Sequence, residues 1–258
     1  MLNKTRNYVN RFAVGLAAVV LMHMASPASA ALRSDIMFCG SNSRTGANLY
    51  SGTGPFTEVS GCVPTATTQA LLVTRSGSIG GNGPAWLAYL NAGGNIITEY
   101  SISAAVYNAI YGTAYANGTG FGECTDNVMP QVKLNPTNPF WVANPIPVTP
   151  VGQGGCGYSL SGLVGSEPTV TALGAATNGS VSFARKPQGG GTLNLLEADW
   201  QDGESSYTND SKTFMGVLIS GASTLTAAAA IPTLSQWGLL LLAGLLGLFT
   251  FVRLRTRQ

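Results

Sequence analysis

Ser101 is the hydroxyl of this sequence best placed to act as a nucleophile. It stands where an apolar strand pattern, 95–99, gives way to a helical pattern, 102–111. A serine attacks a carbonyl only when a base of near-neutral pKa takes its proton, and histidine is the side chain that titrates there. The only histidine among the 258 residues is His23, in a leader that export is expected to remove. No Ser–His–Asp triad can then form in the mature chain. A Ser–Lys pair would have to draw on Lys133, Lys186 or Lys212, and nothing in the spacing brings them to Ser101. Ser101 therefore reads as a helix N-terminal residue, with the nucleophile as its alternative role.

The second constellation is acidic: Glu197, Asp199, Asp202, Glu204 and Asp210. Asp199, Asp202 and Glu204 are hard oxygen donors near Gly203 and could hold calcium outside a cell. Their spacing does not match the EF-hand loop, so the metal reading is weak and a solvated acidic loop is the plainer expectation. Paired carboxylates also serve glycoside hydrolysis, but the sequence fixes no separation between them. The glycine-rich stretch 77–83 lacks the G-K-[ST] of a phosphate-binding loop. No cofactor is expected.

Four cysteines, Cys39, Cys62, Cys124 and Cys156, lie in the stretch expected to be exported. An even count in an oxidising compartment favours disulfides. Of three possible pairings, Cys39–Cys62 with Cys124–Cys156 is the working expectation, since each pair brackets a loop-rich stretch. No C-x-x-C spacing supports zinc.

Both ends of the chain read as addresses. Lys4, Arg6 and Arg11 precede an apolar run, 12–22, and then Ala28-Ser29-Ala30, the pattern of a signal peptide (1–30) cut by signal peptidase after passage through the translocon. At the other end a Leu-rich run, about 237–252, is followed by Arg253, Arg255 and Arg257. Counted from Trp237 it makes roughly 24 Å of helix, which spans a bilayer once residues nearer Ile231 are added or the arginines snorkel. The arginines stay cytoplasmic and stop the chain in the inner membrane. Between the ends, 31–225 holds seven basic and eleven acidic residues, a net charge of −4. The formal +2 of the whole chain thus comes from its ends, and no basic patch points to nucleic acid.

The elements that must position these side chains are legible in part. Strands are expected at 35–39, 70–75, 95–99, 179–185 and 193–198, and helices at 84–90, 102–111 and about 212–220. Pro84 at a helix start and Gly93 past its end fit the first helix. Alternating strands and helices with short connections imply a parallel sheet under helices. The stretch 113–165 breaks the pattern and reads as a long disulfide-tied insertion.

This layout resembles the class I glutamine-amidotransferase-like fold, a flavodoxin-like α/β three-layer sandwich. The resemblance rests on Asn91-Ala92-Gly93-Gly94-Asn95-Ile96-Ile97-Thr98-Glu99-Tyr100-Ser101-Ile102-Ser103, where a helix ends in glycines and a strand turns sharply into a helix. That family places its nucleophile elbow at such a turn, as G-x-C-x-G or G-x-S-x-G. Here the elbow position falls on Ser101, flanked by Glu99 and Ser103 where small residues are expected, and the cysteine is absent. The resemblance thus implies a domain without catalysis.

The tail Ile231-Pro232-Thr233-Leu234-Ser235-Gln236-Trp237-Gly238, with its apolar run and arginines, resembles the IPTL-CTERM sorting domain of Gram-negative exported proteins. That resemblance implies exosortase as a partner. Many such tails carry Glu where Gln236 stands. Pro232 keeps its neighbour extended, as a protease cleft requires. A small-residue tether, 221–230, joins this tail (231–258) to the domain (31–220). The expected protein is anchored on the periplasmic side of the inner membrane, processed, and displayed at the surface in a structural or binding role. Its partner there would be extracellular polysaccharide or another surface protein. The alternative is a secreted hydrolase using Ser101 or the acidic 197–204 loop.

Overall fold

The computed structural model describes residues 33–40, 56–120, 130, 132–147, 157–197 and 209–221. The leader, Cys124, Cys156, the acids Asp199, Asp202 and Glu204, the tether and the sorting tail all lie outside the described residues. Among the described residues no helix is long and apolar enough to cross a membrane.

Eight strands form one mixed sheet: β1 (Asp35–Cys39), β2 (Thr57–Ser60), β3 (Thr68–Val73), β4 (Asn95–Thr98), β5 (Val132–Lys133), β6 (Thr171–Ala175), β7 (Val181–Gln188) and β8 (Gly191–Leu196). Their order across the sheet is β2-β1-β3-β4-β8-β7-β6-β5. The first five in that order run parallel, and β7, β6 and β5 are joined antiparallel. The architecture is therefore α/β, with an antiparallel extension beyond the parallel sheet that the helix–strand alternation implied.

The central strands are apolar on both sides, which is the mark of a sheet covered on both faces. In β1, Ile36 and Phe38 pack into one core while Met37 and Cys39 pack into the other. β3 divides the same way, Ala70 and Leu72 against Leu71 and Val73. One face is covered by α1 (Gly83–Asn91), α2 (Ser103–Tyr111) and α4 (Ser161–Ser166) through Trp86, Leu90, Val106, Ile110 and Leu163. The other is covered by α3 (Pro139–Ala143) and α5 (Asn209–Ser220), through Phe140, Trp141, Phe214, Met215 and Leu218. Each such side chain, fully buried, contributes about 1.5–3 kcal/mol. Phe183, Phe214 and Phe140 meet edge-on or tilted, with ring centroids 5.1–6.5 Å apart.

α1 carries Pro84 in its first turn and ends in bonds from Ala92 N to Ala88 O and from Gly93 N to Leu90 O. Gly83 lets α1 lie on α2: a Cβ there would sit 1.8 Å from the Ala109 carbonyl oxygen. The helix expected at 102–111 begins instead as a 3₁₀ turn, Tyr100–Ile102, before α2 proper. Within the stretch expected to be an insertion, the described residues form β5, α3 and α4.

Candidate functional site

In open α/β sheets, ligands bind beyond the carboxyl ends of the parallel strands. Here that edge carries Gly40 after β1, Thr74–Gly77 after β3, Glu99–Ser103 after β4 and Glu197 after β8. The disulfide Cys39–Cys62, with Cα atoms 4.4 Å apart, ties the end of β1 to the residues just past β2. It is the pairing expected for those two cysteines. Gly40 has φ +114°, and a Cβ on it would meet Thr74 Oγ1 at 2.1 Å, so the turns after β1 and β3 interlock.

The strand-to-helix turn after β4 holds one of the two non-glycine residues with positive φ among the described residues, the other being Asn135. Tyr100 has φ +50°, a conformation that L side chains of this size rarely adopt. Ser101 follows, half-buried, with its carbonyl accepting from Asn117 Nδ2 at 2.9 Å. Among the described residues no lysine or carboxylate hydrogen-bonds the Ser101 hydroxyl. Lys186 instead reaches Thr169 Oγ1 and the Tyr111 ring, and Lys133 lies over Trp141 at 4.8 Å. Lys212 stands in the first turn of α5.

Around Tyr100 the edge is densely built. The Arg75 guanidinium carbon lies 5.5 Å from the Tyr100 ring centroid, and Tyr158 meets the ring edge-on at 5.6 Å. The Arg75 N–H donates to Glu99 Oε2 at 2.7 Å, and Glu99 is wholly buried. Thr98 does the work of a ladder residue through its side chain. Its Oγ1 accepts from Leu196 N at 2.9 Å, beyond the last backbone pairing of Ile97 with Asn194, and lies 2.6 Å from Ser103 Oγ. β4 and β8 thus part at their carboxyl ends, with hydroxyls filling the gap.

Glu197 closes this group from the β8 side. It is 1 % exposed, so it belongs to the core rather than to the solvated acidic loop expected from sequence. Its Oε2 accepts from Tyr158 N at 3.1 Å. Oε1 is buried and has no hydrogen-bond partner among the described residues. Burial raises its pKa to about 8, against the smaller opposing pull of the Ser103 hydroxyl and the Tyr158 N–H. Sequence reasoning missed Tyr100, Tyr158 and the buried states of both glutamates. The available signal was an acid placed just after a short apolar stretch, as in Ile96-Ile97-Thr98-Glu99 and Leu195-Leu196-Glu197. Among the described residues no group of three His, Cys, Asp or Glu could hold a metal ion.

Comparison with known families finds the IPTL-CTERM motif at residues 229–256. No curated protein matches the chain. The match covers the tail alone and says nothing of the sheet domain.

Proposed function

We propose that this is an exported protein of a Gram-negative bacterium, sorted to the surface through its IPTL-CTERM tail by an exosortase. The observation that carries the reading is the motif at 229–256. In this reading residues 1–30 direct passage through the translocon and are cut by signal peptidase. The helix at about 237–252 then holds the chain in the inner membrane, with Arg253, Arg255 and Arg257 inside. Ile231, Pro232, Thr233 and Leu234, with Trp237 and Gly238, present the tail for cleavage. Mass spectrometry of the mature C-terminus in the producing cell tests this. The expected product ends upstream of the apolar run when exosortase is present and is full-length when it is deleted. An intact tail in both strains overturns the reading.

The exported domain is a non-catalytic member of the class I glutamine-amidotransferase-like fold, in a structural or binding role toward extracellular polysaccharide or a surface protein. Five parallel strands in the order β2-β1-β3-β4-β8, helices on both faces and a strained turn after β4 support the fold. The strained position holds Tyr100, and no histidine follows His23 to serve as a base. The rival reading, a secreted hydrolase using Ser101 or the acidic 197–204 loop, draws its support from the strain itself, since such outliers cluster at active sites. Turnover of any ester, amide or glycoside that is lost in Ser101→Ala would favour the rival.

A further inference from the structure

The sequence holds three Asn–Gly pairs, 82–83, 117–118 and 178–179. In such a pair the backbone nitrogen of the glycine can attack the side-chain amide carbon of the asparagine, because glycine has no side chain to crowd the approach. The attack needs that nitrogen free of its own hydrogen bond and the asparagine side chain free to swing over it. The fold treats the three pairs differently. Asn82 starts α1 at φ −83° and ψ −13°, and closing a five-membered ring there would turn ψ far from this helical value. Its Nδ2 also donates to Ser78 O at 2.7 Å, and Gly83 is pressed against the Ala109 carbonyl. Asn178 lies in the β6–β7 turn, where Gly179 N donates to Ala176 O and Asn178 Oδ1 accepts from Ser180 N, both at 2.9 Å. Asn117 is exposed, and Gly118 N meets no acceptor among the described residues. Its side chain is held by the bond from Nδ2 to Ser101 O at 2.9 Å.

We propose that Asn117 is a self-modification site, at which Gly118 N closes on the side-chain amide and converts the asparagine to aspartate and isoaspartate. A bond forms between Gly118 N and Asn117 Cγ, the Cγ–Nδ2 bond breaks, and the amide nitrogen leaves as ammonia with the proton that Gly118 N gives up. Water then opens the ring, at Cγ to give aspartate or at the backbone carbonyl to give isoaspartate. Either product puts an acceptor-only carboxylate where a donor faced Ser101 O. Isoaspartate also lengthens the backbone by a carbon. Gly118 lies so close to the facing chain that a Cβ on it would stand 2.2 Å from Ser159 O, and just beyond it Ser159 N donates to Thr119 O at 2.9 Å. The inserted carbon does not fit that register, so the change releases the Thr119–Ser159 bond beside Tyr158. The conversion runs one way, and the modified fraction records how long a copy has stood outside the cell. That last consequence rests on export; the chemistry does not.

Incubating the folded exported chain in mildly alkaline buffer, then digesting it and fragmenting the peptides by mass spectrometry, tests the site. Acid in both aspartyl and isoaspartyl forms should build up at position 117 ahead of 82 and 178. Asn178 should lag by about two- to tenfold, the rate equivalent of the one further hydrogen bond that must break there. In concentrated urea the three pairs should react at like rates, since only the fold tells them apart. Asn117→Gln, an exposed change that would need a six-membered ring, should leave position 117 unmodified. A lead by Asn82 or Asn178 in the folded chain overturns the proposal, as does the same ranking in urea. In the isoaspartyl fraction, hydrogen exchange at the Ser159 amide should quicken, and unchanged protection there would overturn the release of the Thr119–Ser159 bond.

Discussion

At the scale of single residues, Glu197 makes the folded state prefer acid. Its pKa rises from the ordinary 4.5 to about 8 because burial disfavours the charged form. Below about pH 4.5 the folded and unfolded chains both carry the proton, and the contribution to stability is complete. Between 4.5 and about 8 the unfolded chain has lost a proton that the folded chain keeps, so stability falls as pH rises. Above about 8 both are ionised and the slope ends. Urea midpoints measured at about pH 5 and about pH 8 should show this loss in the wild type. Glu197→Gln should shrink it, and a variant with the same loss would count against the buried neutral carboxyl. Tyr100 shows the other residue-scale lesson. The turn after β4 was visible in sequence as a strand meeting a helix, but the residue that takes the positive φ was not. Tyrosine, unlike glycine or asparagine, gives no advance sign of that conformation.

At the scale of elements, the two helices on the Trp86 side depend on a missing side chain. A Cβ at Gly83 would collide with the Ala109 carbonyl, which is backbone and cannot swing away. Gly83→Ala should therefore force α1 off α2 and lower stability by about 1–3 kcal/mol, read from chemical denaturation. A stability gain, as for an ordinary helical Gly→Ala change, would show that the helices can part at no cost. Elements with a strong internal pattern were the ones the sequence disclosed. β1, β3 and β4 are built on the apolar stretches Ile36-Met37-Phe38-Cys39, Ala70-Leu71-Leu72-Val73 and Ile96-Ile97, and Ile102, in the 3₁₀ turn, repeats with Val106 and Ile110 of α2 at helical spacing. β2 was hidden because Thr57–Ser60 is an edge strand with mostly exposed residues and no apolar alternation. β6, Thr171–Ala175, was hidden by its small residues, Ala172, Gly174 and Ala175. The direction of β7 against β8 followed from the tight Gly189-Gly190 turn, a signal present in the sequence but weaker than the helix–strand alternation before it.

At the scale of the whole molecule, the Cys39–Cys62 bridge closes a loop across a sequence separation of 23 and fixes one end of the parallel sheet. By loop entropy alone it stabilises the fold by about 3 kcal/mol. Cys62→Ser together with Cys39→Ser should cost about that much in a denaturant titration. An unchanged midpoint would mean that packing of the wholly buried Cys39 side chain, with Gly77 against it, already holds the strand end.

The last turn of α5 has a consequence for display. Gln69 Nε2 donates to Ile219 O at 3.1 Å, and Gly221 lies against Asn95, so the described chain departs beside the first residues of β3 and β4. Arg33, just ahead of β1, reaches Ala92 O on the same side. Five- and six-residue strands put roughly 17–20 Å between that rim and the opposite one. A globule leashed from Gly221 would stand like a lamp on its stem, its tyrosine-lined rim turned to the medium and its root toward the cell.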